Sequence, residues 1–411
     1  MKLWLKYLIA AVLGILLGFL LPLNGGDTEV FFSTVYTYVL HIGRYLIFPL
    51  VFFGLAVGTY ELWLEKKFFP VYGRMLGYSV ISAVAASAIA AIFVAVFSPE
   101  RVPIIIEEAD VRALPTLGEQ LQQIFPKNLF QIFSNNGDFL LPVFVFAILL
   151  GLGFLYNRSV SAPVIDVFES LSRIIHNMNR IMLQILSIGL FFMMVYRTSQ
   201  LRGMADLELF SQLLLVVLGA VIFVIFLLIP LLLYLAGDRK RNPYLWLFAT
   251  IPAALSALLS GDLYFGISSA EGTVTENMGV KRWAGSAMIP LGSIFSRSGT
   301  ALVTTISFIL ILRSYSSLDI TLLQFIWIMG SSILISFMLG TVPANAMVVS
   351  LSIISMWYGQ GLEEGFLILL PIAPILTALA VLLDSMVILT NIQLVADHEN
   401  LADAVNPRDF L

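Results

Sequence analysis

The sequence contains no cysteine, only three histidines, and a charged fraction of 12% across 411 residues. Without cysteine, disulfides and thiolate chemistry are excluded and the redox compartment is unreadable. Three scattered histidines make no metal site, and there is no H-E-x-x-H. No Walker A loop is present for a self-contained ATP-driven pump, and no G-x-S-x-G elbow for a serine hydrolase. The net charge of −4 is small and carries no nucleic-acid signature. A soluble domain is about a quarter charged, so this chain is too poor in charge to clothe a water-soluble fold.

What it has instead is apolar sequence: 59% hydrophobic residues and a mean hydropathy of +0.95. The bilayer is the expected solvent, and its core asks for about 20 apolar residues per helical span. Runs of that kind lie at 3–22, 31–60, 70–98, 139–156, 181–196 and 207–236, followed by less regular ones at 243–270, 283–312, 321–358 and 366–396. The first is longer than a signal-peptide core and lacks an A-x-A site, so it reads as a retained span. Several runs exceed one perpendicular crossing and carry breakers, among them Pro49, Pro142, Pro252, Gly261, Pro290, Gly299 and Pro343. Lys2, Lys6, Lys66, Lys67, Arg74, "DRKRN" (238–242), Lys281 and Arg282 fall in short loops of one side, while the connection after the third span carries Glu100, Glu107, Glu108, Asp110 and Glu119. By the positive-inside rule both termini are expected in the cytoplasm.

The second half repeats a pattern. Run 243–270 breaks near Ser260-Gly261-Asp262 and is followed by a span with one central charge, Arg297. Run 321–358 breaks near Pro343-Ala344-Asn345 and is followed by a span with one central charge, Asp384. Such recurrence suits either repeated re-entrant hairpins around a midplane site or two ordinary helical hairpins kinked at proline. A charge at a span centre costs about 2.5–3.5 kcal/mol on insertion scales and usually marks a partner or a solute path. Arg297 and Asp384 have opposite sign and similar depth. They fit a buried pair that fixes helix register, or two poles of a binding site. Serines and a glycine around Arg297 suit a coordinating site, and Asn391, seven residues after Asp384, lies two turns along the same helix face. His41 and Arg44 read as structural, His176 as interfacial between Arg173 and Arg180, and Tyr78 with Ser82 as packing unless they give oxygens to an ion.

With these residues in view the chain resembles the dicarboxylate/amino acid:cation symporter family, the glutamate-transporter fold. "FPLVFFGLAVG" (48–58) is similar to the family's second span, and "FPKNLFQIFSNNGDFLLPVFVFAILLGLG" (125–153) to its fourth segment. "IPLGSIFSRSGTAL" (289–302) is similar to the seventh-span "PLGAT-NMDGTA" motif, "GTVPANAM" (340–347) to the second hairpin tip, and Asp384 with Asn391 to the eighth-span pair. The resemblance implies an all-α fold of eight spans plus two re-entrant hairpins with inverted repeats. It implies a homotrimer in the cytoplasmic membrane that carries a small organic solute, an amino acid or a dicarboxylate, by an elevator motion. Residues 1–69 and 124–206 would form the scaffold, 70–98, 207–236 and 243–397 the transport domain, and 398–411 a cytoplasmic tail.

The resemblance places substrate contacts at Asp262, Arg297, Pro343, Asn345, Asp384 and Asn391. It places ion contacts at Tyr78, Ser82, Gly292, Ser296, Ser298, Ser336 and Asn391. No cofactor or metal is implied, and the coupling ion, sodium or proton, is open. The departures bear on that choice. The family's sodium-holding asparagine and aspartate become Ser296 and Ser298, with Arg297 between them in place of methionine. A substrate-gripping arginine becomes Val387, and a further sodium-binding aspartate becomes Val395. Arg297 then stands as a fixed positive charge where relatives keep sodium, and weak sodium dependence is expected. A passive facilitator or a non-transporting receptor on the same fold are the competing expectations.

Overall fold

The computed structural model describes residues 2–21, 26–103, 124–134, 139–203, 207–237, 242–315, 320–342, 345–406, 408 and 410. Pro343, residues 238–241 of the basic "DRKRN" loop and the acidic residues between 107 and 119 lie outside them. The described residues are almost wholly helical. They form α1 (Leu3–Leu20), α2 (Asp27–Arg44), α3 (Ile47–Leu64), α4 (Phe68–Phe97), α5 (Leu141–Gly153), α6 (Arg158–Gly203) and α7 (Leu207–Ala236). There follow α8 (Pro243–Ser260), α9 (Leu263–Gly272), α10 (Arg282–Phe295), α11 (Ser298–Tyr315), α12 (Leu322–Met338), α13 (Ala346–Tyr358) and α14 (Ala373–His398). Eight segments among them are long and apolar enough to cross a membrane.

Local chemistry explains the interruptions. In α7 the Pro230 ring removes the N–H that would bond to the Phe226 carbonyl. The helix widens to a π-turn over Val224–Leu228, and the Tyr244 hydroxyl donates to that carbonyl at 3.4 Å. Helix α8 starts where Asn242 Oδ1 accepts from the Tyr244 N–H at 2.9 Å and ends at Gly261, whose φ of +61° is a left-handed cap. One residue later Asp262 Oδ1 accepts from the Phe265 N–H at 2.8 Å and starts α9. The two helices pack on each other as a hairpin. A second hairpin, α12–α13, begins with a capping box between Thr321 and Gln324 and turns through the 3₁₀ segment Leu339–Thr341 and left-handed Asn345.

Sequence periodicity marked only 181–196 of α6 as a span, yet the helix runs 46 residues. Its polar N-terminal half persists because Glu169, Ser172, His176 and Asn179 repeat at helical spacing and meet protein rather than lipid. The centre of the molecule is equally uneven. Of the apolar window in the segment Arg282–Tyr315, 94% is buried, against 28% in α4, so the span bearing Arg297 is shielded on all sides. It packs against α3, α4 and α14.

Candidate functional site

Helices α10 and α11 form one interrupted span. Ser296 and Arg297 sit in the gap, and Ser296 has left the helical conformation at φ −99°, ψ +63°. A helix start inside a protein leaves N–H groups without partners. Asp384 on α14 supplies them. Its Oδ1 accepts from the Gly299 and Thr300 N–H groups at 2.6 and 3.0 Å, and its Oδ2 from the Thr300 hydroxyl at 2.6 Å. The carboxylate is fully buried. Its charge is therefore met by the positive end of α11.

Close approach makes this cap possible. A Cβ on Gly299 would lie 2.3 Å from the Ala380 carbonyl oxygen and 2.7 Å from the Asp384 nitrogen. Gly299→Ala is expected to push α11 off α14 and cost on the order of 1–3 kcal/mol, as overpacking does. A drop in thermal stability of the purified protein would show it.

Arg297 is treated differently. It is fully buried, yet no carboxylate lies within ion-pair distance of it among the described residues. Its Nε donates to the Ser293 carbonyl at 3.1 Å and its Nη2 to the Val342 carbonyl, at the α12–α13 turn, at 3.3 Å. Its Nη1 is buried without a hydrogen bond, and so is the neighbouring Ser298 hydroxyl. Sequence allowed Arg297 to pair with Asp384 or Asp262, and it pairs with neither. Asp262 instead forms an ion pair with Arg44, 218 residues away. Arg197 completes that grip by donating to the Ser260 carbonyl at 2.6 Å.

Ser296 belongs to a neutral cluster. Its Oγ lies 2.6 Å from Ser79 Oγ and accepts from Asn391 Nδ2 at 2.9 Å, while Ser82 Oγ donates to Asn391 Oδ1 at 3.2 Å. Ser296, Ser82 and Asn391 are thus brought together. Ser336 is buried but donates to its own helix at Ile333, at 2.7 Å. Gly292 faces Ile388, where a Cβ would come within 2.8 Å. Tyr78 lies elsewhere, with its ring 6.2 Å from that of His398. Asn345 is exposed at the second hairpin, and Pro343 is outside the described residues. Sequence reading missed Ser79, Thr300 and Arg197, and it read Arg44 as structural without seeing its distant partner Asp262. For Ser79 a signal existed: it precedes Ser82 by one helical turn on α4.

The arrangement holds one permanent cation with a spare donor, one carboxylate already satisfied by a helix, and a set of neutral oxygens. It has no nucleophile–base pair, and it suits binding of an anion.

Comparison with known proteins identifies the family. The model of the sodium:dicarboxylate symporter family matches residues 3–393. The proton/sodium-glutamate symport protein of Geobacillus stearothermophilus is 23% identical over 363 residues, covering 84% of this chain and 82% of that one. The C4-dicarboxylate transport protein of Pseudomonas syringae is 23% identical over 338 residues, covering 78% and 71%. The serine/threonine transporter SstT of Acinetobacter baylyi is 24% identical over 316 residues, covering 73% of each chain. With a family match along almost its whole length, over a bundle of apolar helices interrupted at Arg297, the chain belongs to the sodium:dicarboxylate symporter family, whose members are membrane transporters and not enzymes.

Proposed function

We propose that the chain is a secondary transporter for small carboxylate-bearing solutes, and that Arg297 is the residue that grips the carboxylate. The observation that carries this is the guanidinium itself: fully buried, held at Nε and Nη2 by carbonyls, with Nη1 unused and no carboxylate within ion-pair distance among the described residues, since Asp384, within electrostatic reach, is taken up by the start of α11. A buried unpaired charge is costly, and an arginine fork is matched to a planar carboxylate. Glutamate, serine, threonine and C4-dicarboxylates, the solutes in the relatives' names, all carry that group. Asp384 is committed to α11, so its part is to fix Arg297's span in place. The Ser298 hydroxyl is left for the polar remainder of the solute, with Asn391 held beside Ser296 and Ser82.

The same reading makes the two hairpins re-entrant and gives the protein an elevator motion in a homotrimer of the cytoplasmic membrane, with both termini inside. Residues 70–98, 207–236 and 243–397 form the moving body. Sodium matters little to it, because Ser296 and Ser298 offer hydroxyls that already bond to protein or lack charge, and Val387 and Val395 offer nothing. Stabilisation by a ligand scales as RT ln(1 + [L]/Kd), about 2.7 kcal/mol at 100 Kd. A thermal-shift screen of succinate, L-glutamate and L-serine against the purified protein is expected to show such a gain for at least one of them. None responding would overturn the assignment. Uptake into proteoliposomes with choline replacing sodium is expected to keep most of its rate, and a tenfold fall would restore sodium as the coupling ion.

A further inference from the structure

Glu271 lies away from the Arg297 site, in α9 of the first hairpin, and is only 3% exposed. Its Oε1 accepts from the Ser286 hydroxyl of α10 at 2.6 Å. The nearest group able to carry positive charge is His176 of α6, whose Nδ1 is 3.7 Å from Oε1 and, though buried, makes no hydrogen bond. Other charges around the pair are engaged. Arg282 on α10 is within electrostatic reach of Glu271 but donates to Ser172 at 2.8 Å and sits 3.8 Å from Glu169. Arg180 on α6 is 3.6 Å from Glu276, and Arg173 bonds to Glu169 along their own helix. No lysine or arginine comes within 4 Å of Glu271 among the described residues.

We propose that Glu271 is the proton site that couples solute movement, with His176 as its proton partner. This rests on the transport reading above, in which the hairpin moves and α6 stays. The Glu271–His176 contact then crosses the sliding boundary. While a solute carboxylate neutralises Arg297, a buried carboxylate that leaves its only titratable counter-charge crosses the bilayer readily only as the neutral acid. Charge balance points the same way. A solute carboxylate on Arg297 adds one negative charge to the moving body, and a proton on Glu271 removes one. In the docked arrangement the proton passes from His176 Nδ1 to a Glu271 oxygen: the N–H bond breaks, the O–H bond forms, and His176 is recharged from water on that side. After the movement the carboxyl gives the proton to water on the far side. The emptied body returns with the carboxylate in the same unit as Arg297.

The test uses the full chain in sodium-free proteoliposomes with labelled succinate and L-glutamate as probes. An acid-outside gradient of about one pH unit supports about a tenfold accumulation for one proton per solute. Wild type is expected to approach that ratio. Glu271→Gln is expected only to equilibrate the probe, near onefold, while probe counterflow continues. Should that variant fail to fold, Ser286→Ala serves. It removes a hydrogen bond to the charged carboxylate and is expected to move the pH dependence of accumulation toward alkaline pH by half a unit or more. Accumulation by Glu271→Gln equal to wild type, an unmoved profile in Ser286→Ala, or wild-type accumulation indifferent to the pH gradient while counterflow proceeds overturns the proton site alone. Absence of any probe binding or counterflow in wild type takes down the transport reading and this inference with it.

Discussion

Arg297→Met is expected to abolish carboxylate binding and to leave the empty protein as stable as before, or more so. The two halves of this result have separate causes. Truncating one partner of a buried, hydrogen-bonded charge pair costs about 2–5 kcal/mol, or about 30-fold to several thousand-fold in Kd. The empty protein has no such hydrogen-bonded pair to lose, only the longer-range attraction between Arg297 and Asp384. It holds a guanidinium with a buried, unsatisfied Nη1, a state that costs about 1–3 kcal/mol and that methionine relieves. The freed Ser293 and Val342 carbonyls are lesser losses, since carbonyls tolerate partial satisfaction better than N–H groups do. Arg297→Lys separates charge from shape. It keeps the cation, loses the planar fork, and is expected to fall between the two. Isothermal titration and thermal unfolding of the three proteins with and without succinate check all of this. A variant that binds succinate as tightly as wild type would remove Arg297 from the site. A variant destabilised by several kcal/mol would make the arginine a structural strut.

Asp384→Ala is expected to behave in the opposite way, failing in stability before function is reached. The carboxylate satisfies two N–H groups and one hydroxyl at the start of α11, all of them buried. Removing it leaves those donors and the end of a helix without compensation, a loss of about 3–5 kcal/mol. For a domain of a few hundred residues that is a fall of roughly 10 °C in unfolding temperature. Asp384→Asn keeps an acceptor for the N–H groups, and the Thr300 hydroxyl can turn to accept from the amide. It is expected to lose a third to a half as much. Normal unfolding of Asp384→Ala, coupled with lost solute binding, would mean that the carboxylate meets the solute directly.

Much of this was visible in sequence, because the bilayer makes its demands locally. Apolar runs of spanning length, breakers within them, and charges stranded at their centres are properties of neighbouring residues, and they located most of the spans, the Gly261 turn and the charge at Arg297. What stayed hidden depends on pairs far apart in the chain. Charge and depth suggested Arg297 with Asp384. The N-terminus of α11 competes for that carboxylate with three donors in fixed positions, and a helix end cannot be weighed against an arginine without knowing where α14 passes. The same holds for Arg44 with Asp262 and for Ser79 with Ser296. His176 read as interfacial because Arg173 and Arg180 flank it. Its relation to Glu271 emerges only when α6 and α9 are laid side by side.

The contact between Gly299 and the Ala380 carbonyl has a mechanical consequence. With no space for even a methyl group between them, and with Asp384 tied across the same joint, α11 and α14 have no freedom to slide or swivel past each other. Whatever moves to admit a solute must move elsewhere, at the α12–α13 turn that touches Arg297 through one long hydrogen bond, or at the boundary with α6. In the proposed elevator cycle, Arg297 and Asp384 would travel together on a stiff two-helix frame. Variants that alter transport rate without altering affinity should map outside that frame.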